Sequence, residues 1–230
     1  MIGGWPTSEA ELERFQLALA AARSEPWWPS RDDVVAGVWF VAPTGSAGDT
    51  AGEPAWVAAA ALRDRLLVGE ALVRGSTGAG YRAGYLALRE GPLLERAVRA
   101  LEQTPDVVLV NATGRDHPRG AGLAVHLGAV LGRPTVGVTD RPLAAATPDE
   151  PGPSRGERVP LILEGVEVGA LVRTHVGARP VAVHPGWRMD LATAVGLALA
   201  VPALARTPEP LRRARRLARL ARAADEGRLR

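Results

Sequence analysis

The sequence predicts an α/β fold with a mixed central β-sheet flanked by helices, an antiparallel meander followed by parallel strands. Three features carry this. Val107–Val110 and Thr135–Val138 are short, almost wholly apolar runs of the kind found in strands buried on both faces. Gly120–Leu131 between them has the length of a crossover helix, and strand–helix–strand at this spacing implies a parallel, right-handed connection. Upstream, three apolar runs separated by turn residues read as an antiparallel meander.

Taken in order, residues 8–24 open the chain as a helix, with Ser8 as N-cap and Glu11 completing a capping box. The PWWP stretch at 26–29 ends it. Val34–Val41, Ala55–Leu62 and Arg65–Val73 are the meander strands, and the Gly/Pro-rich loop 43–54 joins the first two. Gly75–Gly84 is a flexible loop carrying Tyr81, and Leu86–Gln103 is an amphipathic helix. Beyond the second buried strand, Pro142–Arg158 is a polar loop. Val159–Leu163, Val168–Thr174 and Pro180–His184 are short strands. Asp190–Leu204 and the Arg-rich Pro208–Ala224 are helices. No internal repeat or interdomain linker interrupts the pattern, so the 230 residues are expected to form a single domain with its core over about 30–220.

Composition narrows the classes. The 47% hydrophobic content is that of a globular chain. No apolar run is long enough to span a bilayer, so no membrane association is expected. The N-terminus lacks a basic region followed by an apolar core, and a cytoplasmic, monomeric protein is expected. The absence of cysteine excludes disulfides and thiolate metal sites. Every basic residue is arginine. Arginine suits phosphate contacts, but GC-rich codon usage accounts for the same bias, and a net charge of +3 does not by itself indicate nucleic acid.

Six segments occur in an order that matters: VAGVWF (35–40), GYRAGYLALREGPLL (80–94), PDVVLVNATGRDHPRGAGLAVHLG (105–128), RPTVGVTDRPL (133–143), VHPGWRMDLATAV (183–195) and TPEPLRRARRLA (207–218). They resemble the endonuclease V motifs VAGVD, PYIPGYLxFREIPxL, PDxxxVDGxGxxHPRxxGxAxHxG, xPTIGVAKxxL, VSPGHRxSLxxAV and LPEPTRxAxxLA. The resemblance covers residues 30–220. It implies a ribonuclease-H-like fold and a metal-dependent nuclease that nicks nucleic acid near inosine.

The resemblance also locates a site and its departures. The family's metal carboxylates map to Trp39, Glu90 and Asn111, so Glu90 is the one carboxylate and the one metal ligand that carries over. Mg²⁺ is implied only if the ancestral activity persists; otherwise no cofactor is expected. The family's Lys maps to Asp140 and a catalytic-region His to Trp187. Glu90 is expected to act as acid or base, with Asn111, Asp140 and Asp116 as further catalytic or positioning groups. Tyr81 is expected to stack on a base, Gly114 and His117 to keep part of a base pocket, and Trp39 and Trp187 either to fill a collapsed site or to box a planar ligand. Three readings stay open: a homologue that has lost metal-dependent cleavage and binds nucleic acid, a nucleotide-like ligand or a partner; a repurposed enzyme using Glu90 and the old pocket on a nucleoside or aromatic small molecule; and an inosine-directed endonuclease with a rebuilt metal site.

Overall fold

The computed structural model describes residues 4–22, 24–147, 149–200 and 205–228. Its strands are β1 (Val35–Val41), β2 (Pro54–Arg63), β3 (Leu66–Ser76), β4 (Val107–Val110), β5 (Thr135–Thr139), β6 (Arg158–Leu163), β7 (Val166–Val172) and β8 (Val181–Pro185). They form one eight-stranded sheet in the order β3-β2-β1-β4-β5-β8-β7-β6. The expected meander is present as antiparallel β1–β2–β3, and β1, β4 and β5 are parallel neighbours. Antiparallel β8, β7 and β6 extend the other edge.

The helices are α1 (Glu9–Ala21), α2 (Leu86–Arg99), α3 (Leu123–Leu131), α4 (Leu191–Ala200) and α5 (Glu209–Asp225). Ser8 Oγ accepts from the Glu11 N–H at 3.3 Å, as the capping box requires, while the Glu11 carboxylate reaches back to the Thr7 N–H at 2.9 Å. Several bounds differ from expectation, two of them for backbone reasons. Asp64 and Arg65 both have positive φ (43° and 72°) and form the hairpin turn, so β3 begins at Leu66. Gly120 has φ 69°, outside the helical region, and α3 begins after it, at Leu123. The expected end of the fourth helix, residues 201–204, lies outside the described residues, as does residue 23 near the end of the first.

Strand alternation divides the core into two layers. Ala36 and Val38 of β1 and Val108 and Val110 of β4 face α2 and α3, with Leu12 of α1 closing that layer. Val35 and Trp39 of β1 and Val107 and Leu109 of β4 face the other side, where α4 and α5 lie. The second layer is tight at Gly37, where a Cβ would stand 2.3 Å from the backbone carbon of Pro210. The sheet therefore presents the C-terminal ends of β1, β4 and β5 side by side, the place where α/β sheets gather ligand groups. No helix among the described residues is long and apolar enough to cross a membrane.

Candidate functional site

A cavity of about 390 Å³ opens at those strand ends. Phe40 closes it from β1, Asn111 to Thr113 from the turn after β4, and Thr139 to Leu143 from the end of β5. Glu90 enters from α2, Gln16 from α1, and the loop bearing Tyr81 forms the rim. The size falls within the roughly 300–1,000 Å³ usual for small-molecule sites.

Glu90 is the central charge-bearing group. Desolvation pushes its pKa from the ordinary 4.5 up to about 8, against the opposing influence of Arg89. Arg89, next in sequence, is turned away. Its guanidinium donates to the carbonyls of Gly48 (2.7 Å) and Ala79 (2.9 Å) and pairs with Glu53 (2.7 Å). The Glu90 carboxyl is therefore protonated and neutral at pH 7. Phe40 and Asn111, which line the same cavity, bring no charge.

A stability measurement checks this state. The unfolded chain ionises Glu90 near pH 4.5 and the folded chain only near 8. Between these values the folded state binds more protons, so burial of this carboxyl costs more as pH rises. Glu90→Gln should gain stability over the native chain through that window and level off above pH 8. The slope through that window is at most about 1.4 kcal/mol per pH unit. A stability difference independent of pH from 5 to 9, in paired thermal melts, would mean an ordinary solvated carboxylate.

His117 is buried in the cavity wall. Its Nδ1 accepts from the Arg119 N–H (3.1 Å), which leaves the ring proton on Nε2, 3.1 Å from the Gly84 carbonyl. Burial holds its pKa down, partly offset by the Gly84 contact, so the ring is neutral. Gln16 completes this corner. Its amide donates to the Gly84 carbonyl (3.0 Å) and accepts from Arg119 Nε (2.6 Å). Sequence reasoning missed Gln16, although it stands with Leu12 and Leu19 on the buried face of α1. A lone amide at an apolar-face position was the available signal.

The other expected residues divide. Tyr81 is 60% exposed at the rim, its N–H donating to Gly48 (2.5 Å). Asp140 borders the cavity but is largely exposed and ion-paired with Arg206. Asp116 is buried behind the cavity, and its carboxylate accepts from the N–H groups of Leu143 (2.6 Å), Ala144 (2.8 Å) and Ala145 (2.6 Å). It does not cap α3, whose N-cap is Gly122. Gly114 permits close approach to β8, since a Cβ there would lie 2.0 Å from the Pro185 oxygen.

The two tryptophans do not share the cavity. Trp39 lies one residue before Phe40, so the period-two alternation of β1 sends it to the opposite sheet face, under α5, with the Arg215 guanidinium 5.1 Å from its ring centroid. Phe40 occupies the wall that Trp39 was expected to fill. Trp187 follows β8, which runs antiparallel to β5. Chain leaving β8 therefore meets the start of β5, and the Trp187 N–H donates to Thr135 Oγ1 at 2.8 Å. The ring packs beside Leu19 and Val125, at the far end of β5 from Thr139. The two indoles thus form no box for a planar ligand.

These donors do not suit a hard divalent cation, which needs several charged oxygens in near-octahedral array. Among the described residues, no three His, Asp or Glu side chains stand together as a metal-holding group. Asp116 is committed to backbone N–H groups, Asp140 to Arg206, and Glu90 is held neutral by burial.

Comparison with known proteins gives a consistent picture. A family model described as Endonuclease V matches residues 21–216. The endonuclease V of Methanopyrus kandleri is 39% identical over 227 residues, covering 97% of this chain and 94% of that protein. The crystal structure of endonuclease V from Streptomyces avermitilis superposes with a TM-score of 0.85 at 35% identity, over 97% of this chain and 96% of that one. A Ciona intestinalis endonuclease V, in complex with a 24mer DNA containing an inosine, shares the fold with a TM-score of 0.76 at 20% identity, over 92% and 96% of the two chains.

Proposed function

The chain belongs to the endonuclease V family, and from that premise we propose that it is a nucleic-acid-binding member whose cavity takes an extruded base and whose metal-dependent strand cleavage has been lost. The observation that carries the binding half is the pairing of a cavity at the strand ends with an exposed tyrosine at its rim. A ring standing free at a pocket mouth can stack on the base next to the one inside, and stacking tolerates any base. The Ciona protein of the same fold was solved in complex with a 24mer DNA containing an inosine. Inside the cavity, Asn111, the protonated Glu90 carboxyl and the Gln16–His117 corner offer neutral donors and acceptors to the edges of a purine.

The loss of cleavage rests on charge. Phosphodiester hydrolysis assisted by two cations needs carboxylates to hold both ions. The wall offers a phenyl ring, an amide and a neutral carboxyl where that charge is required, and Asp140 is already paired.

Binding and cleavage are measured together on an inosine-containing single strand. The expected result is binding in EDTA that weakens steeply with salt, and no product on addition of Mg²⁺ or Mn²⁺. Tyr81→Ala should weaken binding by about 5- to 150-fold, equivalent to the roughly 1–3 kcal/mol of one base–aromatic stack. Metal-dependent nicking that disappears in Glu90→Ala would overturn the loss of activity. Failure to bind any strand would overturn the binding role.

A further inference from the structure

We propose that Thr139, His184 and Asp116 form a relay that makes the Thr139 hydroxyl a nucleophile toward the acyl group of an uncharged ester, an activity separate from nucleic-acid binding. Thr139 ends β5 and borders the cavity. Its Oγ1 lies 2.9 Å from His184 Nε2. The register that pairs Gly137 with His184 explains the contact, since residues 137 and 139 share a sheet face and His184 stands opposite the first. The imidazole is fully buried, and its Nδ1 has no hydrogen-bond partner. That nitrogen faces Asp116 Oδ2 at 3.7 Å, and Asp116 is fixed from behind by three backbone N–H groups.

Hydroxyl, imidazole and carboxylate thus stand in the order that nucleophile, base and orienting acid require. The carboxylate favours the tautomer with its proton on Nδ1, which leaves the Nε2 lone pair toward the hydroxyl. The hydroxyl has a second acceptor, the Arg141 carbonyl at 2.7 Å, and rotation of its hydrogen alone exchanges the two. The 3.7 Å separation exceeds a hydrogen bond, and such contacts commonly tighten only when substrate binds. Thr139 and His184 are also departures from the motifs quoted above, which carry Ala and Ser there.

The cavity selects the substrate class. Phe40, Leu86 and Leu143 give it apolar surface, which suits an uncharged acyl group. In the forward step Thr139 Oγ bonds to the carbonyl carbon as its proton passes to His184 Nε2, and the carbonyl π pair moves onto oxygen. Collapse breaks the bond to the leaving alcohol, which takes the proton from the imidazolium. Water then repeats the sequence and returns free Thr139 and a carboxylic acid.

The test uses the full chain with p-nitrophenyl acetate, read by nitrophenolate release and by peptide mass mapping. The absence of lysine removes ε-amine acetylation from the background. The expected result is an acetyl group on Thr139, lost in Thr139→Ala and kept in Thr139→Ser. His184→Gln should slow acylation by about 10²–10⁴-fold, the usual contribution of a general base. No adduct at Thr139 in the folded protein, or equal release by Thr139→Ala, overturns the proposal. Should His184→Gln fail to fold, the Thr139 pair decides alone.

Discussion

Asp116→Ala should be among the most destabilising single substitutions in this chain, lowering the melting temperature by roughly 6–20 °C. The carboxylate is fully buried, and it is the acceptor for three successive backbone N–H groups, those of Leu143, Ala144 and Ala145. Alanine leaves all three without their partner. An unpaired buried donor costs about 1–3 kcal/mol, and relaxation of the segment toward solvent recovers part of this, so a net loss of about 3–5 kcal/mol is expected. For a chain of this length, each kcal/mol moves the melting temperature by about 2–4 °C. Asp116→Asn keeps one acceptor oxygen and should lose less. A melting temperature within a degree of the native value for Asp116→Ala would show that residues 143–145 are held by other contacts.

The same substitution should reach the cavity. Thr139, Asp140, Arg141 and Leu143 form one wall, and the Asp116 carboxylate anchors that wall from behind. A ligand that depends on the wall should bind more weakly in Asp116→Ala even at temperatures where the variant is fully folded.

Much of this architecture could be read from the sequence, because its signals are local. The apolar runs at 107–110 and 135–138 are of the kind found in strands covered on both sides, and the capping residues Ser8 and Glu11 act within four residues of each other. Site geometry depends on features that the sequence states poorly. The choice between Trp39 and Phe40 for the cavity wall is a matter of strand phase, and a one-residue difference reverses the face. Trp187 was expected at the site because its segment matched a motif, but the antiparallel run of β8 carries it to the opposite end of β5. The partners of Asp116 lie 27 to 29 residues away in an irregular segment that no periodicity describes. Glu90 and His117 could be located because motif order fixes which loops meet at the strand ends. Their protonation states follow from burial, which exists only in the folded chain.

Arg89→Met should also be severely destabilising, and it should loosen the rim of the cavity in particular. The Arg89 side chain is 3% exposed. Its guanidinium gathers the carbonyls of Gly48 and Ala79 together with the Glu53 carboxylate, tying the 43–53 loop to the segment that leads into Tyr81. Glu53 is in turn held by Ser46 Oγ at 2.5 Å and by Arg89, which together keep its carboxyl below the usual range and ionised. Methionine retains the apolar stem of arginine but none of its donors. The Ala79 carbonyl loses its partner, the Gly48 carbonyl keeps only the Tyr81 N–H, and Glu53 loses its counter-charge. Together these place the cost at about 3 kcal/mol, or a melting temperature lower by roughly 6–12 °C. Because the Tyr81 N–H is bonded to the Gly48 carbonyl, the loosened loop carries the tyrosine with it. Limited proteolysis should therefore cut within 44–52 in the variant before the rest of the chain unfolds, and strand binding should weaken in parallel. Protection of that loop equal to the native chain would show that β-strand pairing at its ends, and not Arg89, holds the rim in place.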